Sequence, residues 1–386
     1  MKIDKIEAIH LRAEIPPAGR HRNDTGEVKA VETVLVRITA DGLVGHGEAK
    51  SEGGVHAAVA AMVETVFGPR LIGRDARDIT GIWEALYSGS RAGHARERGQ
   101  SFPVALVRRG LAVTAMAGID MALWDLKGKA LGAPVWQLLG GKARDRVPAY
   151  GSGGWADAQG IGAQLRGYCD RHGFSAVKMR VGFSDGALPA SVRRVEAARD
   201  ALGPDVAIAV DAHGAMSVAE ARRFARAVGE LDLAWFEEPV SPDDVAGCRM
   251  VRDSTDVPIA SGERNATRHE AFELLDARAV DILQPDLALC GGLTEAMRIA
   301  ALASVYNVRI APHVWGGCML YAASLAYAIA TPNVFVLEYC MATNPLLNEL
   351  AATPFAVTDG HAYPLDGPGF GMDLDEDFLR HATVAA

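Results

Sequence analysis

Asp211, Glu237 and Glu263 recur at one fixed interval, 26 residues each time (237−211 and 263−237), and each closes a short apolar run. The runs are Val206-Ala-Ile-Ala-Val-Asp211, Leu233-Ala-Trp-Phe-Glu237 and Val257-Pro-Ile-Ala-Ser-Gly-Glu263. A strand, a helix and two turns need about that many residues, so the interval reads as one βα unit. In a parallel βα barrel the strand ends on one face converge on the functional site. Three carboxylates meeting there repel one another unless a cation lies between them. Hard oxygen donors from separate strands favour Mg²⁺ or Mn²⁺ over zinc, one ion per subunit.

Short apolar runs alternate with amphipathic segments from Val147 to Leu337, giving eight strand candidates. They end in Tyr150, Lys178-Met-Arg180, the three acids, Gln284-Pro-Asp286, Pro312-His313 and Leu337-Glu338. Ionisable groups at this many successive strand ends argue for a site, because one such residue alone is usually only solvated. The stretch before Gly141 has a different texture. Residues 2–14, 31–39 and 44–48 read as antiparallel strands, with the turn dipeptide Asp41-Gly42 between the last two. A helical pattern then runs from about 55 to 139. The breaker-rich stretch 16–26 reads as a long loop of the kind that forms lids. Alternation sends Glu238 away from Glu237, toward a structural ion pair.

The net charge of −9 on 386 residues leaves no basic face for nucleic acid. Cys318–Ala330, the longest apolar stretch, is too short to span a membrane. The N-terminus lacks the apolar segment of a secretory signal, and five cysteines without paired spacing read as reduced thiols. A cytoplasmic location is the expectation.

The chain resembles the mandelate racemase subgroup of the enolase superfamily. The resemblance rests on Ala117-Gly-Ile-Asp-Met-Ala-Leu-Trp-Asp-Leu-Lys-Gly-Lys129, Pro134-Val-Trp-Gln-Leu-Leu-Gly-Gly141, Phe236-Glu-Glu-Pro239 and Asp281-Ile-Leu-Gln-Pro-Asp286 with Gly291-Gly292. It implies an α/β fold, a modified (β/α)₇β TIM-type barrel under an α+β N-terminal capping domain. The expected division is a cap over 1–135, the barrel over 136–345, and a segment 346–386 packing back on the cap. Loops 16–26 and 48–54 are expected to close over the substrate. It further implies that Asp211, Glu237 and Glu263 hold Mg²⁺ and that a proton is abstracted α to a carboxylate. His313 and Asp286 match the base dyad, and Glu338 an acidic hydrogen-bond donor, with Lys178 offsetting the developing charge. Plainer roles are a helix N-cap for Asp286 and a rim salt bridge for Glu338. A small-molecule carboxylate substrate and a homo-oligomer, a dimer or octamer, are expected.

Two departures from the racemase pattern narrow the reaction. Arg180 stands where the racemase has a second lysine, and a guanidinium is a poor base. Arg180 is therefore expected to hold a substrate oxygen or to orient Lys178. His213 stands where the racemase has asparagine, as in several sugar-acid dehydratases, where it can protonate a departing β-hydroxyl. The alternative is a hydrogen bond from His213 to the metal ligands. The leading expectation is dehydration of an aldonic or aldaric acid to a 2-keto-3-deoxy acid. Sugar-lactone cycloisomerase or epimerase chemistry is second, and a non-catalytic binder third. Arg22, Lys50, Glu52, Ser152 and Trp315 are the candidate substrate contacts.

Overall fold

The structure is a computed structural model, and it describes residues 1–24, 26–50, 54–89, 98–99 and 109–384. Strands β1 (Ile3–Glu14), β4 (Ala30–Ala40) and β5 (Leu43–Ala49) form an antiparallel sheet in the order β1-β4-β5. Asp41 and Gly42 both have positive φ, the geometry of the two-residue turn that matches strand twist. Val34, Val36 and Ile38 of β4 pack on Ala115, Ile119 and Ala122 of the helix Leu111–Leu131. Helix and sheet approach closely because β5 carries glycine: a Cβ at Gly47 would stand 2.1 Å from the Gly118 carbonyl oxygen.

The stretch expected as a long loop between β1 and β4 contains a short hairpin, β2 (His21–Asn23) with β3 (Gly26–Val28). Arg22 lies opposite Glu27 across it, an opposite-charge pair that supports the register.

Beyond Gly141 eight parallel strands follow in sequence order. They are β6 (Val147–Gly153), β7 (Ala176–Arg180), β8 (Ala207–Asp211), β9 (Leu233–Glu237), β10 (Ile259–Ser261), β11 (Ile282–Leu283), β12 (Arg309–Ile310) and β13 (Leu337–Cys340). β13 pairs with β6, and an isolated bridge from Ile310 to Val334 joins the remaining edge, so the sheet closes into a TIM-type barrel. The eighth strand was expected at Val334–Leu337 but starts at Leu337, because the Val334 amide is still closing a turn onto Thr331. Two short strands, β14 (Val357–Thr358) and β15 (His361–Ala362), return to pair with β6. The chain then reaches the cap sheet, where Val384 N donates to the His10 carbonyl (2.9 Å).

Tyr150, Ala176, Ala209, Trp235, Ala260, Ile282, Ala311 and Val336, one from each barrel strand or its continuation, pack together inside the barrel. Side chains alternate along a strand, so the residue two positions on faces inward one layer higher. Those residues are Ser152, Lys178, Asp211, Glu237, Gly262, Gln284, His313 and Glu338. An apolar floor thus lies directly beneath a polar layer. Among the described residues no helix is long and apolar enough to cross a membrane.

Candidate active site at the barrel mouth

The polar layer opens into a cavity of about 920 Å³ between barrel and cap. Lys178, Arg180, Asp211, His213, Glu263, His313 and Glu338 line it from the barrel side. Glu263 follows the inward-facing position of its strand by one residue. Gly262 has φ +122°, a conformation side chains rarely adopt, and this turn rotates Glu263 into the mouth.

His313 Nδ1 lies 2.8 Å from Asp286 Oδ2, and Asp286 also accepts from the Ala288 amide (2.8 Å). Asp286 therefore caps its turn and holds the histidine at once. His313 Nε2 lies 3.4 Å from Glu263 Oε2. Burial alone would lower the His313 pKa, but Glu263, Glu338 and Asp286 outweigh it and the net shift is upward, with Lys50 opposing.

Across the cavity Lys178 bridges acids. Its Nζ contacts Glu237 Oε1 closely, lies 2.9 Å from Glu338 Oε1 and 4.0 Å from Asp211 Oδ2. Glu237 is fully buried below the cavity wall and also accepts from Trp235 Nε1 (3.0 Å) and Gln284 Nε2 (2.6 Å). Burial and neighbouring acids raise its pKa to about 7 despite Lys178. Glu338 behaves oppositely. Burial would raise it, but Lys178, His313, Ser152 and the Val314 amide hold it at about 2. In this arrangement Glu338 is a carboxylate accepting hydrogen bonds, so donation from it requires prior protonation.

Arg180 Nη1 lies 3.1 Å from Asp211 Oδ2, so it is tied to an acid of the site rather than to Lys178. His213 has φ +51°, and its amide donates to Asp211 Oδ1 (2.7 Å). Its Nδ1 lies 3.3 Å from Asp24 Oδ2, and its Nε2 meets Arg264 closely and lies 3.7 Å from Glu263. A guanidinium can only donate, so Nε2 accepts and Nδ1 carries the proton toward Asp24.

Glu238 departs from the expectation that it points away. Its φ of +38° breaks strand alternation, and one carboxylate oxygen lies within 4.8 Å of ligand atoms of both His213 and Glu263. Both Glu238 oxygens are buried without a hydrogen bond among the described residues, with Arg264 Nε 3.9 Å away. Burial beside Glu263 and Asp211 drives its pKa well up. Asp211 and Glu237 are turned instead to Arg180 and Lys178.

Of the candidate substrate contacts, Lys50, Ser152 and Trp315 line the cavity. Lys50 Nζ lies 3.3 Å from Asp286 Oδ2, and Trp315 stands edge-on to Trp155 at 5.7 Å. Arg22 lines a neighbouring cavity of about 790 Å³ on the other side of the hairpin, and Glu52 lies outside the described residues. Sequence reasoning missed Asp24, Arg264 and Gln284 as site residues. Strand parity two positions beyond Ile282 would have found Gln284. Asp24 sits at the tip of the β2–β3 hairpin, where it also accepts from Ser184 Oγ (3.1 Å), and no local pattern marks it.

The comparisons agree with this architecture. Residues 6–140 match the family described as the mandelate racemase / muconate lactonizing enzyme N-terminal domain, and residues 160–378 match the enolase C-terminal domain-like family. The chain is 36% identical over 359 residues to a D-galactarolactone cycloisomerase from Agrobacterium fabrum, covering 90% of both chains. It is 35% identical over 357 residues to a D-galactonate dehydratase from Variovorax paradoxus, covering 89% of both. A crystal structure of a racemase from Streptomyces coelicolor with bound magnesium superposes with a TM-score of 0.84 at 31% identity, covering 99% of this chain and 100% of that one. Matches to both parts of the fold and relatives spanning nine-tenths of the chain place it in the mandelate racemase/muconate lactonizing enzyme family of the enolase superfamily.

Proposed function

We propose that this enzyme abstracts the proton α to the carboxylate of a sugar acid and expels the β-hydroxyl, yielding a 2-keto-3-deoxy acid. The observation that carries this reading is the placement of two histidines around one cavity, each oriented by its own aspartate: His313 by Asp286 and His213 by Asp24.

The donor set fits a hard divalent ion. Glu263 and the Glu238 oxygens, which have no hydrogen bond among the described residues, crowd one side of the mouth, and Asp211 and Glu237 stand against the side chains of Arg180 and Lys178. Asp211, Glu237 and Glu263 are the residues that would hold Mg²⁺, as the magnesium-bound relative of this fold encourages. When bound, the ion supplies positive charge that offsets the second negative charge gained by the ionising substrate. His313 takes the α-proton at Nε2, and Asp286 keeps Nδ1 protonated so that Nε2 is the basic atom. Lys178 places an ammonium where charge develops, in a buried setting that strengthens it. Once Arg264 has moved off Nε2, that nitrogen takes a proton from solvent to give the imidazolium, which Asp24 stabilises through Nδ1, and His213 passes the Nε2 proton to the leaving hydroxyl. Arg180 holds Asp211 and a substrate oxygen. Lys50, Ser152 and Trp315 contact the rest of the acid.

Incubating the Mg²⁺-loaded protein with a library of aldonic and aldaric acids should release a 2-keto-3-deoxy product from at least some members. Silence across the library would sink the reading. The second reading, a lactone cycloisomerase, is favoured by the likeness to the cycloisomerase relative at 36% identity. Proton NMR in D₂O separates the two, since cycloisomerisation consumes a lactone with no net loss of water.

A further inference from the structure

The cap sheet changes character at one end. On the face turned to the helices, β1 and β4 pair Ile6 with Ile38 and Ala8 with Val36, all packed in the cap core. Continuing by twos along the same face, β1 presents His10 and then Arg12, and Arg12 lies directly opposite Glu32 of β4. The helix His56–Ala61 begins over this point, and its first residue is a histidine that is 6% exposed.

These side chains converge on one oxygen. His10 Nε2 lies 2.7 Å from Glu32 Oε2, and His56 Nδ1 lies 3.4 Å from that same atom. The imidazoles stack at 5.0 Å between centroids, tilted by 12°. One ligand atom from each of the three residues lies within 4.8 Å of the other two. Arg12 Nε stands 3.4 Å from the opposite oxygen, Glu32 Oε1, which leaves Oε2 to the histidines.

We propose that His10, Glu32 and His56 form a transition-metal site in the cap, for Zn²⁺ or an ion of similar softness, separate from the hard-oxygen set at the barrel mouth. Two imidazoles and one carboxylate suit Zn²⁺, Co²⁺ or Ni²⁺ and are a poor set for Mg²⁺. Tetrahedral ligands at about 2.1 Å from zinc stand about 3.4 Å apart. The His56 spacing to the shared Glu32 oxygen, 3.4 Å, is already at that value, while the 2.7 Å His10 spacing opens and the third edge, within 4.8 Å, closes by rotation of the rings. Arg12, Glu32 and His56 also line the large cavity, so the fourth coordination position opens toward it. An ion there ties the first turn of the helix His56–Ala61 to the sheet and fixes the cap wall that faces the substrate.

The test uses the full chain saturated with Mg²⁺ and then titrated with Co²⁺, whose visible bands are far stronger in tetrahedral than in octahedral sites. Wild type should take up about one Mg²⁺-resistant equivalent with tetrahedral bands. His56→Gln and Glu32→Gln should each weaken that binding by about tenfold or more while keeping the circular dichroism of the folded chain and the affinity for Mg²⁺. Absence of the bands in Mg²⁺-loaded wild type overturns the proposal. So do bands that survive both substitutions, or that persist in His56→Gln and vanish in His313→Asn, which would place the ion at the barrel mouth. A merely hydrogen-bonded His–Glu–His cluster gives the first of these results.

Discussion

His313 is held from both ends: Asp286 on Nδ1 and Glu263 facing Nε2. If Nε2 is the base, His313→Asn should lower kcat roughly 10³-fold, the usual scale of a lost general base. Calorimetric Mg²⁺ binding should stay nearly unchanged, because the substitution leaves the three acids in place; a large loss of Mg²⁺ affinity would instead make His313 part of the ion site. Asp24 offers a second check. It joins the hairpin tip to His213, Arg180 and Ser184, and those partners hold its pKa down although burial opposes them. Asp24→Asn should lower kcat about tenfold or more if it orients the acid histidine, with Asp24→Glu restoring part of the rate. A rise in KM alone would reduce Asp24 to a latch. The histidine pair, Lys178, Asp211, Glu237 and Glu338 were legible because strand parity places them, and Glu263 because it repeats the 26-residue interval of the other two acids. Asp24 and Glu238 were not: one comes from a hairpin tip remote in sequence, the other depends on a positive φ that breaks the parity rule.

At the scale of elements, the signature stretch around residue 120 holds cap and barrel together. Asp120 accepts from the Thr294 amide (2.9 Å) and hydroxyl at the start of the helix Leu293–Val305, where Gly292 leaves room for it. Glu48 of β5 does the same for the helix Cys318–Ala330, accepting from Gly317 N (2.7 Å) and Leu320 N (2.9 Å). Both are acids at helix N-termini, where backbone N–H groups lack partners. Burial raises Asp120 to about 7 even so. Its folded pKa exceeds the unfolded value of about 3.9, so the folded chain holds the extra proton and stability falls as pH rises between those values. The loss is about 4 kcal/mol at most. Asp120→Asn, which cannot ionise, should flatten that part of the stability profile measured by denaturant unfolding from pH 4 to 8; an unchanged slope would assign it elsewhere. The motif was recognisable in the sequence, but its mechanical role was not, since each contact joins residues about 170 or more positions apart. The hairpin β2–β3 was hidden for a related reason. Three-residue strands are too short to show a period.

For the molecule as a whole, the barrel mouth gathers more buried acid than its own cations offset, and Glu238 sits there with no hydrogen bond to either oxygen among the described residues. A divalent ion should therefore stabilise the fold as well as the reaction. At an ion concentration of about 100 Kd the gain is about 2.7 kcal/mol. The melting temperature should climb with Mg²⁺ in wild type and respond weakly in Asp211→Asn; an equal response would move the ion away from the three acids. Seen at this scale, the barrel floor and most of the polar layer above it follow from one alternation rule applied strand by strand, while Glu263 and Glu238 depend on positive φ at Gly262 and at Glu238 itself. The apolar floor of Tyr150, Trp235 and their neighbours carries a corollary. Floor and reactive residues share one beat of the two-residue rhythm and helix-facing residues take the other, so deleting a single residue early in a barrel strand would leave its backbone able to pair. It would also turn the reactive side chain out into the helix layer and bring a helix-facing one in. Substitutions can retune such an enzyme one rim position at a time, whereas a length change inside a strand should abolish it, which leaves the loops as the places where length can change.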